Sequence, residues 1–251
     1  MQFSTNTDYV DEEGRLAYGY PKSFLDQDGY PKPNAVSVQI DLLRVRWPHL
    51  NPDRALAFHA GAYQRLFPSR ASDWVEGPYV LLRPGLFGGT YIDDAKEAII
   101  GLKATCRRSF HWGPVFDNKC RLRQTAVSQE LIARAQSCQE GDFILIPGQA
   151  GIRFGACSPR RAVVKAGQDE ACLGFYSGAA IAIGNPHRFG PDHNECGMDL
   201  SGDVYAPDEE GVFSAAPVLY VGHDGTLNSY WRPLNCSYGV FGSASGRFPS
   251  K

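Results

Sequence analysis

The sequence predicts an α+β protein folded as one compact domain. Three observations carry that expectation. Helix signals concentrate in residues 51–140, strand signals dominate after residue 142, and no flexible linker divides the chain. Helices and strands are therefore segregated, with a mainly antiparallel, β-rich C-terminal part, and a doubly wound parallel sheet is disfavoured. A chain of 251 residues can bury a full core without disulfide staples. Its 43% hydrophobic and 21% charged residues exclude wholesale disorder.

Residues 1–37 read as an irregular N-terminal arm, and 38–251 as the single α+β domain. The arm mixes acids and glycines with Pro21, Pro31 and Pro33, and Gly19-Tyr20-Pro21 parallels Gly29-Tyr30-Pro31. Two such short copies do not make a repeat architecture. An extended arm held to the body by its tyrosines is expected. Residues 36–45 alternate in part and predict a strand.

Asn51-Pro52 opens the first helix, since asparagine is a favoured N-cap and proline suits the first turn. Leu56, Tyr63 and Phe67 follow at near-helical spacing, and Pro68 stops the run. Residues 78–82 predict a strand. Asp93-Asp94 begins a second helix with the stripe Ala95, Ala98, Ile99 and Leu102. Thr125 caps a third, expected to bury Val127, Leu131, Ala135 and Cys138 before Gly141 ends it. The apolar run 143–146 predicts a buried strand. Residues 218–221 and 226–231 predict a hairpin about Asp224-Gly225, and 236–241 one further strand.

The N-terminus carries neither a basic start nor an apolar run, so no secretory signal is expected. The longest near-apolar stretch, 171–184, is too short to span a bilayer. A cytoplasmic location and no membrane partner follow as expectations. The seven cysteines form no Cys-x-x-Cys pair, which predicts reduced, mostly buried thiols.

The net charge of −2 conceals segregation. Residues 103–165 hold eleven Lys/Arg against four acids, and residues 185–225 hold eight acids against Arg188 alone. Such blocks suit a charged ligand or partner, and they equally suit two segments that face and neutralise each other.

Three candidate sites emerge. Arg107 and Arg108 can grip a phosphate or carboxylate, with Trp112 stacking on a ligand and His111 serving as acid or base. The plainer reading is a strand with its aromatics turned inward. Nucleic acid stays open as a partner, with no recognised module pointing to it. Cys106, beside those arginines and near His111, is a candidate nucleophile. Its position after a predicted helix C-terminus opposes thiolate formation.

The third site is a divalent-metal set of His187, Asp192, His193, Cys196 and Asp203. Asp192, Asn194, Gly197 and Asp203 fall on calcium-loop spacing, but Cys196 and Pro191 break that pattern. A solvated acidic loop is the plainer reading. Walker, dinucleotide, nucleophile-elbow and His-Glu-x-x-His motifs are absent. The expectation is a non-catalytic binding protein that meets a protein partner or anionic ligand through its basic (103–165) and acidic (185–225) surfaces. The alternative is a hydrolase or transferase acting on an anionic, phosphate-containing substrate, in one version metal-dependent.

Overall fold

Three glycines and seven alanine, leucine or isoleucine residues crowd the stretch 171–184, and the fold is built around it. In the computed structural model this stretch supplies a helix, Phe175–Gly184, whose ten residues are all buried. The structure describes residues 32–68, 74–105, 110–112 (backbone only), 121–155, 157–189, 197–207, 211–222, 224–237 and 241–249. Among them are seven α-helices and one sheet of ten strands, mainly antiparallel, in a single α+β domain.

The helices are α1 (Val36–Arg46), α2 (Asp53–Gly61), α3 (Tyr63–Leu66), α4 (Tyr91–Thr105), α5 (Ala126–Ser137), α6 (Pro159–Lys165) and α7 (Phe175–Gly184). The strands are β1 (Gly77–Leu82), β2 (Phe110–Trp112), β3 (Leu122–Gln124), β4 (Phe143–Gly155) and β5 (Glu170–Cys172), then β6 (Gly197–Asp199), β7 (Asp203–Tyr205), β8 (Ala215–Val221), β9 (Leu227–Pro233) and β10 (Phe241–Arg247). The sheet runs β1-β4-β10-β6-β8-β7-β3, with β5 added on β10, β9 on β8 and β2 on β9. Only the β10–β6 and β2–β9 pairs are parallel among the described residues.

Several expectations need correction. Residues 36–46 form a helix, not a strand: Val36, Ile40 and Leu43 bury one helical face, and Gln39 turns in with them. Their branched side chains favour a strand locally, but packing on α7 and β1 overrides that weak preference. The first predicted helix is broken in two at Ala62, and Asn51 Oδ1 accepts from Asp53 N at 2.9 Å as expected of a cap. The strand of 143–146 continues through Pro147 to Gly155, with Pro147 opposite Pro78. Of the strand expected over 236–241, residues 238–240 lie outside the described residues, and the last described strand is Phe241–Arg247. The arm's residues 1–31 lie outside the described residues.

Helix α7 escaped prediction because it is apolar all round, and such a helix has no amphipathic period. It packs against α1, α4 and β1. Close approach demands glycine there: a Cβ on Gly101 of α4 would lie 2.6 Å from the Trp47 ring. At the outer edge of the sheet, Gln39 completes the ladder of β1. Its amide donates to Pro78 O at 2.9 Å, and its carbonyl accepts from Val80 N at 3.0 Å.

Candidate functional site

Cys106, Arg107 and Arg108, with Asp192, His193 and Cys196, lie outside the described residues. His111 and Trp112 lie in β2, whose backbone runs parallel to β9 opposite Asn228 and Ser229. That segment is extended, as the plainer reading expected.

Of the proposed metal set only His187 and Asp203 are described, and they lie at opposite ends of α7. Asp203 Oδ2 accepts from Phe175 N at 2.6 Å and so caps the start of α7. His187 follows the other end of α7, where a ring nitrogen lies 2.9 Å from Lys32 O. Ten helical residues, at about 1.5 Å each, separate the two by roughly 15 Å. No single ion, with ligands at about 2.0–2.6 Å, bridges that distance. Among the described residues no group of three His, Cys, Asp or Glu could hold a metal. The second half of the supposed acidic loop is instead the strands β6 and β7, with Gly197, Asp199 and Asp203 all buried.

The acidic segment is therefore not a uniform surface. Asp199 is buried and gripped by Arg232 Nη1 at 3.0 and 3.1 Å. Burial pushes its carboxyl up to about 6 despite the pull of that guanidinium. Arg188, the segment's one base, is buried with Glu76 and Tyr79. The basic and acidic segments also meet: β3 pairs with β7, setting Gln124 opposite Asp203. Asp203 accepts from the Tyr91 hydroxyl at 2.6 Å, while its Oδ1 has no hydrogen-bond partner among the described residues. Burial lifts its carboxyl to about 7, against the lowering effect of Tyr91 and Phe175 N. It also lifts the Tyr91 phenol well above its usual range.

The basic segment contains a different feature. Between α5 and α6 lies a cleft of about 280 Å³, lined by Val127, Glu130, Arg134, Val163, Glu170 and Phe248, among others. The expected buried face of α5 is rotated. Ser128, Leu131, Ile132 and Ala135 point inward, while Cys138 is exposed and Val127 is 48% exposed. Val163 is 41% exposed on the facing helix. These two valines form apolar lips. Arg134 lies 4.8 Å over the Phe248 ring and also pairs with Glu130 one turn earlier. Ser158 caps α6 by accepting from Arg161 N at 3.2 Å, and the helix carries Arg160, Arg161 and Lys165 with no acid.

The deepest polar group of this cleft is committed to the fold. Glu170 Oε1 accepts from Ser245 Oγ at 2.5 Å, and Oε2 lies 3.0 Å from Arg153 Nε. Burial raises both the Glu170 carboxyl and, far more, the Cys172 thiol. Neither the thiol nor the carboxylate is poised as a nucleophile. The arrangement suits the seating of an apolar group between Val127 and Val163, on a helix that carries Arg160, Arg161 and Lys165 beside the cleft. Sequence periodicity missed it because Val127 and Leu131 share one helical stripe, and only the neighbour Ile132 shows which way the stripe turns. Comparison with known proteins finds no matching family model, curated protein or solved structure.

Proposed function

We propose that the protein works by binding a protein segment at the α5–α6 cleft, and that it does so in the cytoplasm. The partner is an acidic stretch carrying one apolar anchor, which enters between Val127 and Val163. One observation carries this reading: two branched apolar side chains stand in solvent on either side of a cleft, on the basic segment. Burying one apolar side chain there supplies about 1.5–3 kcal/mol. Arg160, Arg161 and Lys165 would attract the flanking acids and make association salt-sensitive. No helix among the described residues is long and apolar enough to cross a membrane. The alternative catalytic reading rests on Arg107, Arg108 and His111, whose side chains lie outside the described residues.

The test is a selection of random displayed peptides on the full chain. Enriched peptides are expected to place Leu, Ile or Phe among Asp and Glu. Their affinity should fall about tenfold or more in Val163→Asp, the loss of one buried anchor. Val45→Asp, at an exposed position on α1, should leave it unchanged. Peptides that bind Val163→Asp as well as the wild type would remove the proposal.

A further inference from the structure

The described cysteines differ in what faces each sulfur. Cys138 meets the Ser137 hydroxyl at 3.8 Å, and Cys236 meets Asn235 Oδ1 at 3.8 Å. Burial, with Glu170 and Asp199 nearby, drives the Cys172 thiol up. Cys157 meets an amine instead: Lys165 Nζ lies 3.7 Å from its sulfur.

The fold sets this pair across one short helix. Cys157 precedes the cap residue Ser158, and Lys165 is the last residue of α6. Cys157 is 6% exposed and clusters with Phe154, Ala162 and Cys172, while its backbone N–H donates to Phe154 O at 3.0 Å. The sulfur is therefore held in place. Lys165 is exposed, and among the described residues no carboxylate pairs with it. Its long stem could carry the ammonium into water, yet the ammonium turns to the sulfur. A cation beside a thiol favours the thiolate, the form that attacks a peroxide. The gap of 3.7 Å is close to the ~3–3.5 Å of atoms placed to react, and the flexible lysine stem can cover the difference.

We propose that Cys157 and Lys165 are a redox modification site, closed by hydrogen peroxide into a covalent sulfur–nitrogen link. In the first step the Cys157 sulfur takes one peroxide oxygen, giving a sulfenic acid and one water. The sulfur is oxidised by two electrons and the peroxide is reduced by two. In the second, Lys165 gives up a proton to solvent and its nitrogen lone pair attacks the sulfur. The S–O bond breaks, the departing hydroxide takes a second amine proton and leaves as water, and a sulfenamide remains. Sulfenic acids condense with backbone nitrogen in the same way. The link ties the two ends of α6 and removes the Lys165 charge. A thiol reductant returns both side chains. This chemistry is independent of what the α5–α6 cleft binds.

Peptide mass spectrometry of the full chain, treated with hydrogen peroxide and digested without reductant, tests the proposal. Trypsin cuts at Arg160 and Arg161, so the link should join two peptides, one holding Cys157 and one holding Lys165. The pair should be lighter than its reduced parts by two hydrogens, and dithiothreitol should separate it. Lys165→Arg keeps the charge but should abolish the link. In that variant the stranded sulfenic acid should label with dimedone several-fold more than in the wild type. A Cys157 that peroxide leaves as a thiol, equal dimedone labelling in the two proteins, or a link to a different lysine would each overturn the proposal.

Discussion

Asp203 illustrates how a single side chain can serve the fold in place of chemistry. Its position on a calcium-like spacing invites a ligand role, yet the carboxylate caps α7 through Phe175 N and receives the Tyr91 hydroxyl. The native state holds its proton up to about pH 7, whereas an unfolded aspartate loses it near 4. Stability from this group is therefore full below about pH 4 and is lost as the pH rises through about 7. Asp199 adds to the same trend, ending near pH 6. The thermal midpoint should fall between pH 5 and pH 8. In Asp203→Asn, which keeps an acceptor but cannot ionise, the fall should be shallower and the variant should gain on the wild type towards pH 8. Circular dichroism melts across that range decide it; parallel slopes for the two proteins would contradict the burial argument.

Among the elements, those with a period were legible and those without one were not. Helix α4 was readable from its stripe and helix α5 from its Thr125 cap and the Leu131–Ala135 part of its stripe, because one face of each meets water. The turn at Asp224-Gly225 announced the β8–β9 hairpin. Helix α7 was invisible because it meets water nowhere, and α1 was misread because branched side chains are common to strands and to buried helix faces. The glycines around α7 provide a graded test of how tightly it is held. A Cβ on Gly202 would meet the backbone of Cys172, Leu173 and Gly174 at 2.4–2.5 Å. A Cβ on Gly178 would meet the Leu200 side chain at 2.2 Å, an end that can rotate aside. Gly202→Ala should therefore cost at least the ~1–3 kcal/mol typical of overpacking, and Gly178→Ala clearly less. Urea unfolding midpoints for the two variants give the order; a reversed order would show that α7 is the more rigid partner.

Over the whole molecule, the charge blocks were legible as numbers but not as surfaces. Composition counts Asp199, Asp203 and Arg188 as charge, while the fold buries all three. The α5–α6 cleft shares that difficulty, since it depends on two helices meeting and neither alone announces it. The burial gradient should be visible in hydrogen exchange. Amides of α7 should exchange only through global unfolding, and those of α2 and α3, whose only buried side chains are Ala55 and Tyr63, much sooner. Equal protection in the two regions would argue against a core centred on α7. The Gln39 amide has a further consequence at this scale. A ten-stranded sheet with an open margin is a template on which like chains can stack into fibres. Here one glutamine stands in for the missing neighbour strand, and the helix carrying it lies along that margin. The β1 margin is thus guarded from within by α1 remaining in place, so damage to α1 should expose it and be felt first as aggregation.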